Sequence, residues 1–510
     1  MAAATVVGAF LRVVSPGNGS LTHDEALFLY LTGPRTTFAE MLEVLRVHEF
    51  NPPLFYLIMR AWIELAGMAA DSVVPIVTAV ALIPVVYRVG ATAFTGLAGV
   101  VAAWVVALSP PLVFFSPQIR PYSLFMLAAV GSCALFWRLG EGRKFWLGYV
   151  ACTLAMVLTH NWGWIVVAAQ TVLGILGPVL FKGQVAAPSP ARIVSAWFAV
   201  GIAYLPWLPV FVAQALYRGY PPQDMSLMRA AFLLPRTAFG PAAAPAGFLF
   251  LAVLVLVPFL PQPPQIQVTT SKPGRVFVIG FVPLVCMAIA WPLSSRSALL
   301  LPHTIAALLP LVALLIGGVV AALWLSGRRT AAVVAAVAAA ALTAADLGHR
   351  LRLQKSNAES VAFQVASHAR DRDVIIVAPE WLVTSFNHYF PLPNRQIVYP
   401  DFSRKEIVPY ERAYVPLTAP EPMIAAADTI AALRRRGARV WLVTVRDGVA
   451  DSVGRGEMAL PDTFDVYEVG AIRGNQLRHE LTRRFGPPDT TVVSPDSRPG
   501  IEMMRAMLFE

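Results

Sequence analysis

The chain has 510 residues, of which 57% are hydrophobic and only 14% are charged, and its mean hydropathy is +0.62. Soluble globular chains usually carry about 25% charged residues, so this composition excludes an ordinary soluble protein. The formal net charge of +10 does not indicate a nucleic-acid-binding protein, because no basic stripe interleaved with aromatic residues occurs.

Apolar runs of about 15–24 residues recur through residues 1–347, and a helix needs roughly 20 residues to cross a bilayer. Residues 348–510 read as soluble sequence. We therefore predict a polytopic α-helical membrane domain, 1–347, followed by a soluble domain, 348–510. The predicted spans are 2–14, 72–89, 93–108, 121–138, 145–159, 161–180, 193–213, 243–260, 276–293, 301–325 and 330–347.

The first predicted span is the least typical, because it has only about 13 apolar residues and contains a charged one, Arg12. Two explanations stay open from the sequence. The start codon is misplaced, or the Arg12 side chain extends to the outer interface of the membrane.

The segment 52–67 is apolar but carries Arg60 and Glu64 at helical spacing. Such charges are costly at the bilayer centre and suit a helix that lies in the interface. We predict an interfacial helix here, within a first outer loop that runs from 15 to 71.

Basic residues occur in every second connection between the predicted spans, which is the pattern of cytoplasmic loops. This parity gives eleven spans, a cytoplasmic N-terminus and an extracytoplasmic C-terminal domain, provided that 52–67 does not cross. The basic residues of these connections are Arg88, Arg138, Arg143, Lys144, Lys182, Arg192, Lys272, Arg275, Arg328 and Arg329.

The C-terminal domain alternates strand and helix patterns. Residues 373–380 and 439–445 read as buried strands, and 355–370 and 423–436 read as helices. A small α/β domain is the expected architecture. No glycine-rich nucleotide-binding motif occurs, so nothing in the sequence indicates nucleotide binding.

Carboxylates, imidazoles, arginines and other polar side chains occur in the predicted outer connections, as a membrane-embedded active site would require. Sugar transfer from a phosphate-linked donor needs a base for the acceptor hydroxyl and cations for the departing phosphate. A carboxylate such as Asp24 suits the base, and arginine binds phosphate oxygens through paired donors. The candidate residues are Asp24, Glu25, His48, Glu49, Arg120, Tyr122, His160, Asn161, Arg218, Tyr220, Arg296 and His303.

Five ordered blocks within residues 8–320 resemble the GT-C superfamily of integral-membrane glycosyltransferases. The nearest group is the family-39-type set that is related to protein O-mannosyltransferases and to the aminoarabinose transferases of lipid A. The blocks are HDEALFLYL (23–31), NPPLFYLIMRAWIELAG (51–67), SPQIRPYSLFMLAAV (116–130), LTHNWGWIVVAAQ (158–170) and SSRSALLLPHTIAALLP (294–310).

The resemblance implies an inverting hexosyl- or pentosyltransferase of the bacterial inner membrane that uses a polyprenyl-phosphate sugar donor. Its acceptor would be a lipid, glycan or protein of the cell envelope, on the periplasmic side. The first acid of the family's acidic pair corresponds to Asp24, and a second acid near the proline pair corresponds to Glu49, so these two are the predicted catalytic residues. The other candidates are predicted to bind substrate.

Structural roles compete with these interpretations. Thr22 and Glu25 fit a capping box at the start of a helix, and Arg120 and Tyr122 fit an anchoring role at the lipid headgroups. Asp24, His48 and Glu49 together offer ligands for a divalent metal, but their spacing does not require one, so a metal cofactor is left open.

Two other classes of protein remain as alternatives. A transporter or lipid-linked-sugar flippase would place ionisable residues near the midpoints of spans in both halves, whereas here they occur at the outer ends. A non-catalytic scaffold would use the C-terminal domain to bind a partner and would be indifferent to changes at Asp24.

Overall fold

The computed structural model describes residues 1–15, 19–47, 49, 51–139, 142–180, 190–216, 225–256, 273–295, 299–392, 395–400, 421–446, 466–493 and 500–510. These residues divide into two compact units. The first contains the described residues of 1–15, 49–216 and 225–352, and the second contains those of 19–47 and 353–510.

The first unit is helical throughout its described regular structure. Its helices are α1 (Ala2–Val13), α4 (Leu54–Ala66), α5 (Val73–Ala93), α6 (Gly96–Leu108), α7 (Pro110–Phe115), α8 (Tyr122–Phe136), α9 (Arg143–Thr159), α10 (Gly163–Leu180), α11 (Pro190–Tyr204), α12 (Leu208–Leu216), α13 (Leu227–Phe239), α14 (Ala244–Leu256), α15 (Pro273–Ser294), α16 (Pro302–Ala306), α17 (Leu309–Leu325), α18 (Arg329–Ala345) and α19 (Leu347–Arg350).

Three helical stretches of the described residues are long and apolar enough to cross a membrane: Met68–Ala93, Pro302–Leu325 and Arg329–Arg350. The number rises to five if two bent pairs, α11 with α12 and α13 with α14, each count as one span. Five further apolar helices are shorter. The chain therefore has several apolar helices of membrane-spanning character, and the count of eleven spans stays a prediction.

Small residues bring three helices of this unit into close contact. A Cβ atom added at Gly317 of α17 would lie 2.3 Å from the carbonyl oxygen of Ala98 in α6. One added at Gly90 of α5 would lie 2.8 Å from the Cα atom of Gly99. Because apolar side chains gain little by leaving lipid for protein, such backbone approach is a main source of helix association in membranes.

Arg12 lies inside the helical packing, and its depth relative to the membrane interface stays a prediction. The side chain has no exposed surface. Its guanidinium donates to the carbonyl oxygens of Val106 (3.1 Å) and Ala107 (3.4 Å), at the end of α6. The last carbonyls of a helix lack partners within the helix, so a cation there satisfies them and complements the helix dipole.

The predicted helix at 52–67 is present as α4. Its two charges form an ion pair in which Arg60 Nε lies 3.2 Å from Glu64 Oε1. Its apolar face buries Phe55, Tyr56 and Met59. One strongly apolar face and a charged pair suit a helix at an interface, and its position relative to the bilayer stays a prediction.

The second unit combines helices and two sheets. Its elements are α2 (His23–Thr32), α3 (Phe38–Val47), β1 (Gln354–Ser356), α20 (Ala358–His368), β2 (Val374–Ala378), α21 (Leu382–Tyr389), β3 (Arg395–Val398), α22 (Glu421–Arg435), β4 (Val440–Val445), α23 (Val466–Phe485), β5 (Thr490–Val493), β6 (Gly500–Glu502) and β7 (Met504–Phe509). Both strands predicted from the sequence are present, as β2 and β4.

The larger sheet has the order β3-β2-β4-β7-β5. The first three strands are parallel, and β7 runs antiparallel to both β4 and β5. Every residue of β2 and β4 is buried, as expected for strands covered on both faces. Helices α20 and α21 pack on one face, and α22 and α23 pack on the other.

The smaller sheet pairs β1 with β6 in parallel, with Ser356 opposite Glu502. This pairing joins the start of the 353–510 segment to residues near its other end. Lys355 and Glu502, one from each strand, both contact residues of α2. The small sheet therefore supports the first turn of α2.

Candidate active site

The first turn of α2 holds the acidic pair predicted from the sequence. Thr22 lies directly before the helix, and both its backbone N–H and its hydroxyl donate to Glu25 Oε2, each at 3.1 Å. These bonds satisfy groups that a helix start otherwise leaves without partners. The capping arrangement thus fixes the orientation of the turn that carries Asp24.

Glu25 has no exposed surface and forms an ion pair with Lys355, whose Nζ lies 2.8 Å from Glu25 Oε1. The Lys355 side chain is itself 2% exposed. Removing one partner of such a buried pair leaves an uncompensated charge, typically at a cost of about 3–5 kcal/mol. This geometry gives Glu25 a structural role, joining α2 to β1.

Asp24 differs from its neighbour, because 37% of its side-chain surface is exposed. Its Oδ1 lies 3.4 Å from Nε2 of His23. The other ring nitrogen of His23, Nδ1, lies 2.7 Å from Oε2 of Glu502. We call His23, Asp24 and Glu502 the acidic cluster.

Glu502 is held in place by several donors. The backbone N–H of His23 lies 3.0 and 2.9 Å from its two oxygens, and the Ser385 hydroxyl donates to Oε1 at 3.1 Å. The His23 ring also packs against Trp381, with ring centroids 5.0 Å apart. The imidazole is therefore held by the short contact between Nδ1 and Glu502 and by an aromatic face, with Nε2 3.4 Å from Asp24.

Glu380 lies near this cluster, two residues after the end of β2, and is 3% exposed. Burial raises the pKa of its carboxyl to about 8, while the nearby His23 acts in the opposite direction. The ionised form is disfavoured because a charge in a dry environment loses its hydration. Glu380 is thus mostly protonated at neutral pH.

A second cluster lies in the first unit and contains an ion pair between Glu49 and Arg120. Arg120 Nη1 lies 3.3 Å from Glu49 Oε1, and the two side chains are 9% and 6% exposed. Asn51 adds a weak contact, with its Nδ2 3.4 Å from Glu49 Oε2. Glu49 and Arg120, both predicted from the sequence, are brought together.

A chain of amides extends from this pair. Gln214 donates from Nε2 to the backbone oxygen of Glu49 at 2.6 Å and accepts from Asn161 Nδ2 at 3.2 Å. The Tyr204 hydroxyl lies 3.5 Å from Asn161 Oδ1. Asn161, another predicted residue, is therefore linked to Glu49 through Gln214.

Aromatic rings form the rest of the second cluster. Tyr122 and His303 are stacked, with ring centroids 4.9 Å apart and an interplanar angle of 28°. His160 lies 6.5 Å from the Tyr122 ring and 5.2 Å from the Phe125 ring. We call Glu49, Arg120, Tyr122, His160, Asn161 and His303 the arginine cluster.

Four predicted site residues lie outside the described residues: His48, Arg218, Tyr220 and Arg296. Their predicted roles stay predictions. Within the described part of the chain, no three His, Cys, Asp or Glu side chains are arranged to hold a metal ion. Because His48 lies outside the described residues, a metal site that includes it stays open.

Sequence reasoning missed several polar residues of the two clusters. His23 adjoins Asp24, and this adjacency was the available signal. Gln214 is a polar residue within an apolar helix, where polar groups often mark function. Glu502 gave no signal, because it is 479 residues from His23 and belongs to a short strand.

Comparison with known proteins identifies the fold. The structure of ArnT from Cupriavidus metallidurans bound to undecaprenyl phosphate is similar to this chain with a TM-score of 0.51 at 14% identity, covering 99% of this chain and 96% of that one. The apo oligosaccharyltransferase of Archaeoglobus fulgidus also gives a TM-score of 0.51, at 10% identity, covering 92% of this chain and 71% of that one.

Both of these proteins belong to the GT-C superfamily. No protein-family model matches the chain, and no curated protein matches it in sequence. The GT-C fold predicted from the five sequence blocks is therefore confirmed by structure, at identities too low to transfer a substrate.

Proposed function

We propose that the protein is an inverting glycosyltransferase that moves a sugar from a polyprenyl-phosphate donor to a hydroxyl group of an extracytoplasmic acceptor in the bacterial inner membrane. The observation that carries the proposal is the contrast between two adjacent acids. Glu25 is buried and paired with Lys355, whereas Asp24 is partly exposed, with its Oδ1 3.4 Å from His23 Nε2. One accessible, oriented carboxylate on this fold is what a general base requires.

The reaction that fits these groups is a single displacement. The acceptor oxygen forms a bond to the anomeric carbon from the face opposite the donor phosphate, while the bond from that carbon to the phosphate oxygen breaks. The phosphate leaves with the bonding electrons, and Asp24 takes the proton of the hydroxyl. One displacement inverts the anomeric configuration and needs no covalent enzyme intermediate.

Arg120 suits the departing phosphate. A guanidinium has five N–H donors in a planar fork that matches phosphate oxygens, and Arg120 contacts Glu49 through Nη1. In this role Glu49 orients the guanidinium before the donor binds. Fixed cations in a site of low dielectric stabilise developing negative charge more strongly than they would in water.

The donor class is supported by one structural neighbour, since ArnT has been solved with undecaprenyl phosphate bound. The acceptor class is inferred from the predicted topology, in which the first outer loop and the C-terminal domain are extracytoplasmic. A lipid, glycan or protein of the cell envelope would meet that requirement.

The first prediction concerns Asp24→Asn. This change keeps the side-chain shape and removes the basic oxygen, so we expect sugar transfer to fall by about 10²-fold or more. The measurement uses purified protein in proteoliposomes, a panel of radiolabelled undecaprenyl-phosphate hexoses and pentoses, and envelope extract as the acceptor source. Glu43→Gln, at an exposed acid on α3, is the matched control and should transfer normally.

Near-normal turnover of the Asp24→Asn variant would exclude Asp24 as the base. Movement of the labelled lipid across the bilayer without any sugar transfer by the unmodified protein would instead favour the flippase alternative. The same proteoliposomes serve both measurements, because transfer and transbilayer movement are read separately.

A further inference from the structure

The acidic cluster has an imidazole between two carboxylates, one on each ring nitrogen. Glu502 lies 2.7 Å from Nδ1, and Asp24 lies 3.4 Å from Nε2. The two carboxylates differ in surroundings: Glu502 is 6% exposed, whereas Asp24 is 37% exposed. Glu502 is thus the fixed end of the arrangement, and Asp24 is the end that solvent or substrate can reach.

Two nearby carboxylates favour the protonated form of an imidazole, because each stabilises its positive charge. Here Nδ1 of His23 lies 2.7 Å from Glu502 Oε2, and Nε2 faces Asp24 Oδ1 at 3.4 Å. The Trp381 ring beside it limits how far the imidazole can turn. A donor held in this way fixes the orientation of the group that it faces.

We propose that His23 is a positioning residue that holds the Oδ1 atom of Asp24, that Glu502 fixes the His23 ring for this purpose, and that the Oδ2 atom of Asp24 is thereby presented to the acceptor hydroxyl. The proposal rests on the proposed function, since it needs Asp24 to be the base. It adds two residues, one of them in the last part of the chain, to the machinery of the reaction.

Two substitutions at His23 separate its contacts. Asparagine places an amide near the position of Nδ1 and so retains a partner for Glu502, whereas glutamine places one near Nε2 and retains a partner for Asp24. If His23 acts through Asp24, His23→Asn should lower kcat by about 10- to 100-fold with the donor KM within about twofold. His23→Gln should lose less than about tenfold.

Stability should follow the opposite order. We expect His23→Gln, which loses the buried Glu502 contact, to lower the melting temperature more than His23→Asn. Thr384→Val is the matched control, because the Thr384 hydroxyl donates to the backbone oxygen of His23 and not to its ring. Its kcat should stay within about twofold. A purely structural role for His23 would make the loss of activity follow the loss of stability across all three variants.

A double-mutant cycle with Asp24→Asn completes the test. Residues that act as one unit give non-additive losses, so the variant with both Asp24→Asn and His23→Asn should be no slower than Asp24→Asn alone. The proposal would be overturned if the rate loss of the double variant equalled the product of the two single losses. It would also be overturned if His23→Asn had a normal kcat while Asp24→Asn was inactive. That second outcome leaves the proposed function intact, whereas normal turnover of Asp24→Asn overturns both.

Discussion

The acidic pair at the start of α2 shows what sequence can and cannot resolve at the scale of single residues. The pattern of Thr22, Asp24 and Glu25 predicts a capped helix start with two adjacent acids. It cannot tell which acid is accessible, because the burial of Glu25 depends on Lys355, 330 residues later in the chain. Glu49 and Arg120 were each predicted as site residues from their positions near the ends of apolar segments, but their ion pair was not predicted.

Glu380 makes the stability of the second unit depend on pH. Its carboxyl has a pKa of about 8 in the folded chain against an ordinary value of 4.5. Below about pH 4.5 the Glu380 carboxyl is protonated in both the folded and the unfolded chain, so its burial costs no ionisation free energy. Between pH 4.5 and 8 the unfolded state ionises and the folded state does not, so stability falls as pH rises.

We predict a decline in melting temperature between pH 5 and pH 8 that Glu380→Gln removes, because glutamine is neutral throughout. The corresponding free energy is on the order of a few kcal/mol. The melting temperature at each pH is measured by tryptophan fluorescence during heating in detergent. Glu359→Gln, at an exposed acid on α20, should keep the pH dependence of the unmodified chain. If the melting temperature of Glu380→Gln still fell with pH as in the unmodified chain, another group would be responsible.

At the scale of helices and strands, hydrophobic periodicity predicted where helices occur better than it predicted where their axes bend. The predicted span 193–213 is two helices, α11 and α12, that meet at 85°. Pro206 lies between them, and proline removes a helical hydrogen bond and clashes with the preceding turn. The second bend, 101° between α13 and α14, follows Gly240, whose φ of +85° ends α13, and Pro241. The proline and glycine residues that mark both bends are visible in the sequence, but the bend angles depend on how the helices pack.

Gly317 provides a prediction for helix packing. Gly317→Ala adds a methyl group where the backbone oxygen of Ala98 would lie 2.3 Å away, so α17 and α6 must separate. We expect a lower melting temperature and poorer expression, at a cost of about 1–3 kcal/mol. Gly201→Ala in α11 is the matched control, because nothing lies within 4 Å of the added atom there. Equal effects of the two changes would contradict the packing argument.

For the whole molecule, the grouping of residues 19–47 with 353–510 could not be read from the sequence. Contacts such as that between Leu21 N–H and the Tyr389 hydroxyl, at 3.0 Å, join segments that are 368 residues apart. Hydrophobic periodicity carries no information on such pairings. The charge of the loops, by contrast, is a property of the sequence alone, and it leads to a prediction about sidedness.

We predict that the 353–510 segment faces outside and that the connection before α18 faces the cytoplasm. Thr429→Cys and Thr330→Cys introduce thiols at exposed positions in α22 and α18. A membrane-impermeant maleimide should label the first in intact spheroplasts and the second only after permeabilisation. The unmodified chain, with Cys133, Cys152 and Cys286 in helices, measures the background. The reverse labelling pattern would invert the topology and remove the basis for an extracytoplasmic acceptor.

The contact between His23 and Glu502 also bears on the order of synthesis. A ribosome that has made His23 must add 479 more residues before Glu502 exists. The nascent chain can therefore insert its helices into the membrane long before the imidazole gains its second carboxylate. On this view translation itself delays the activation of Asp24, so a prematurely terminated product would enter the membrane without competence to transfer sugar.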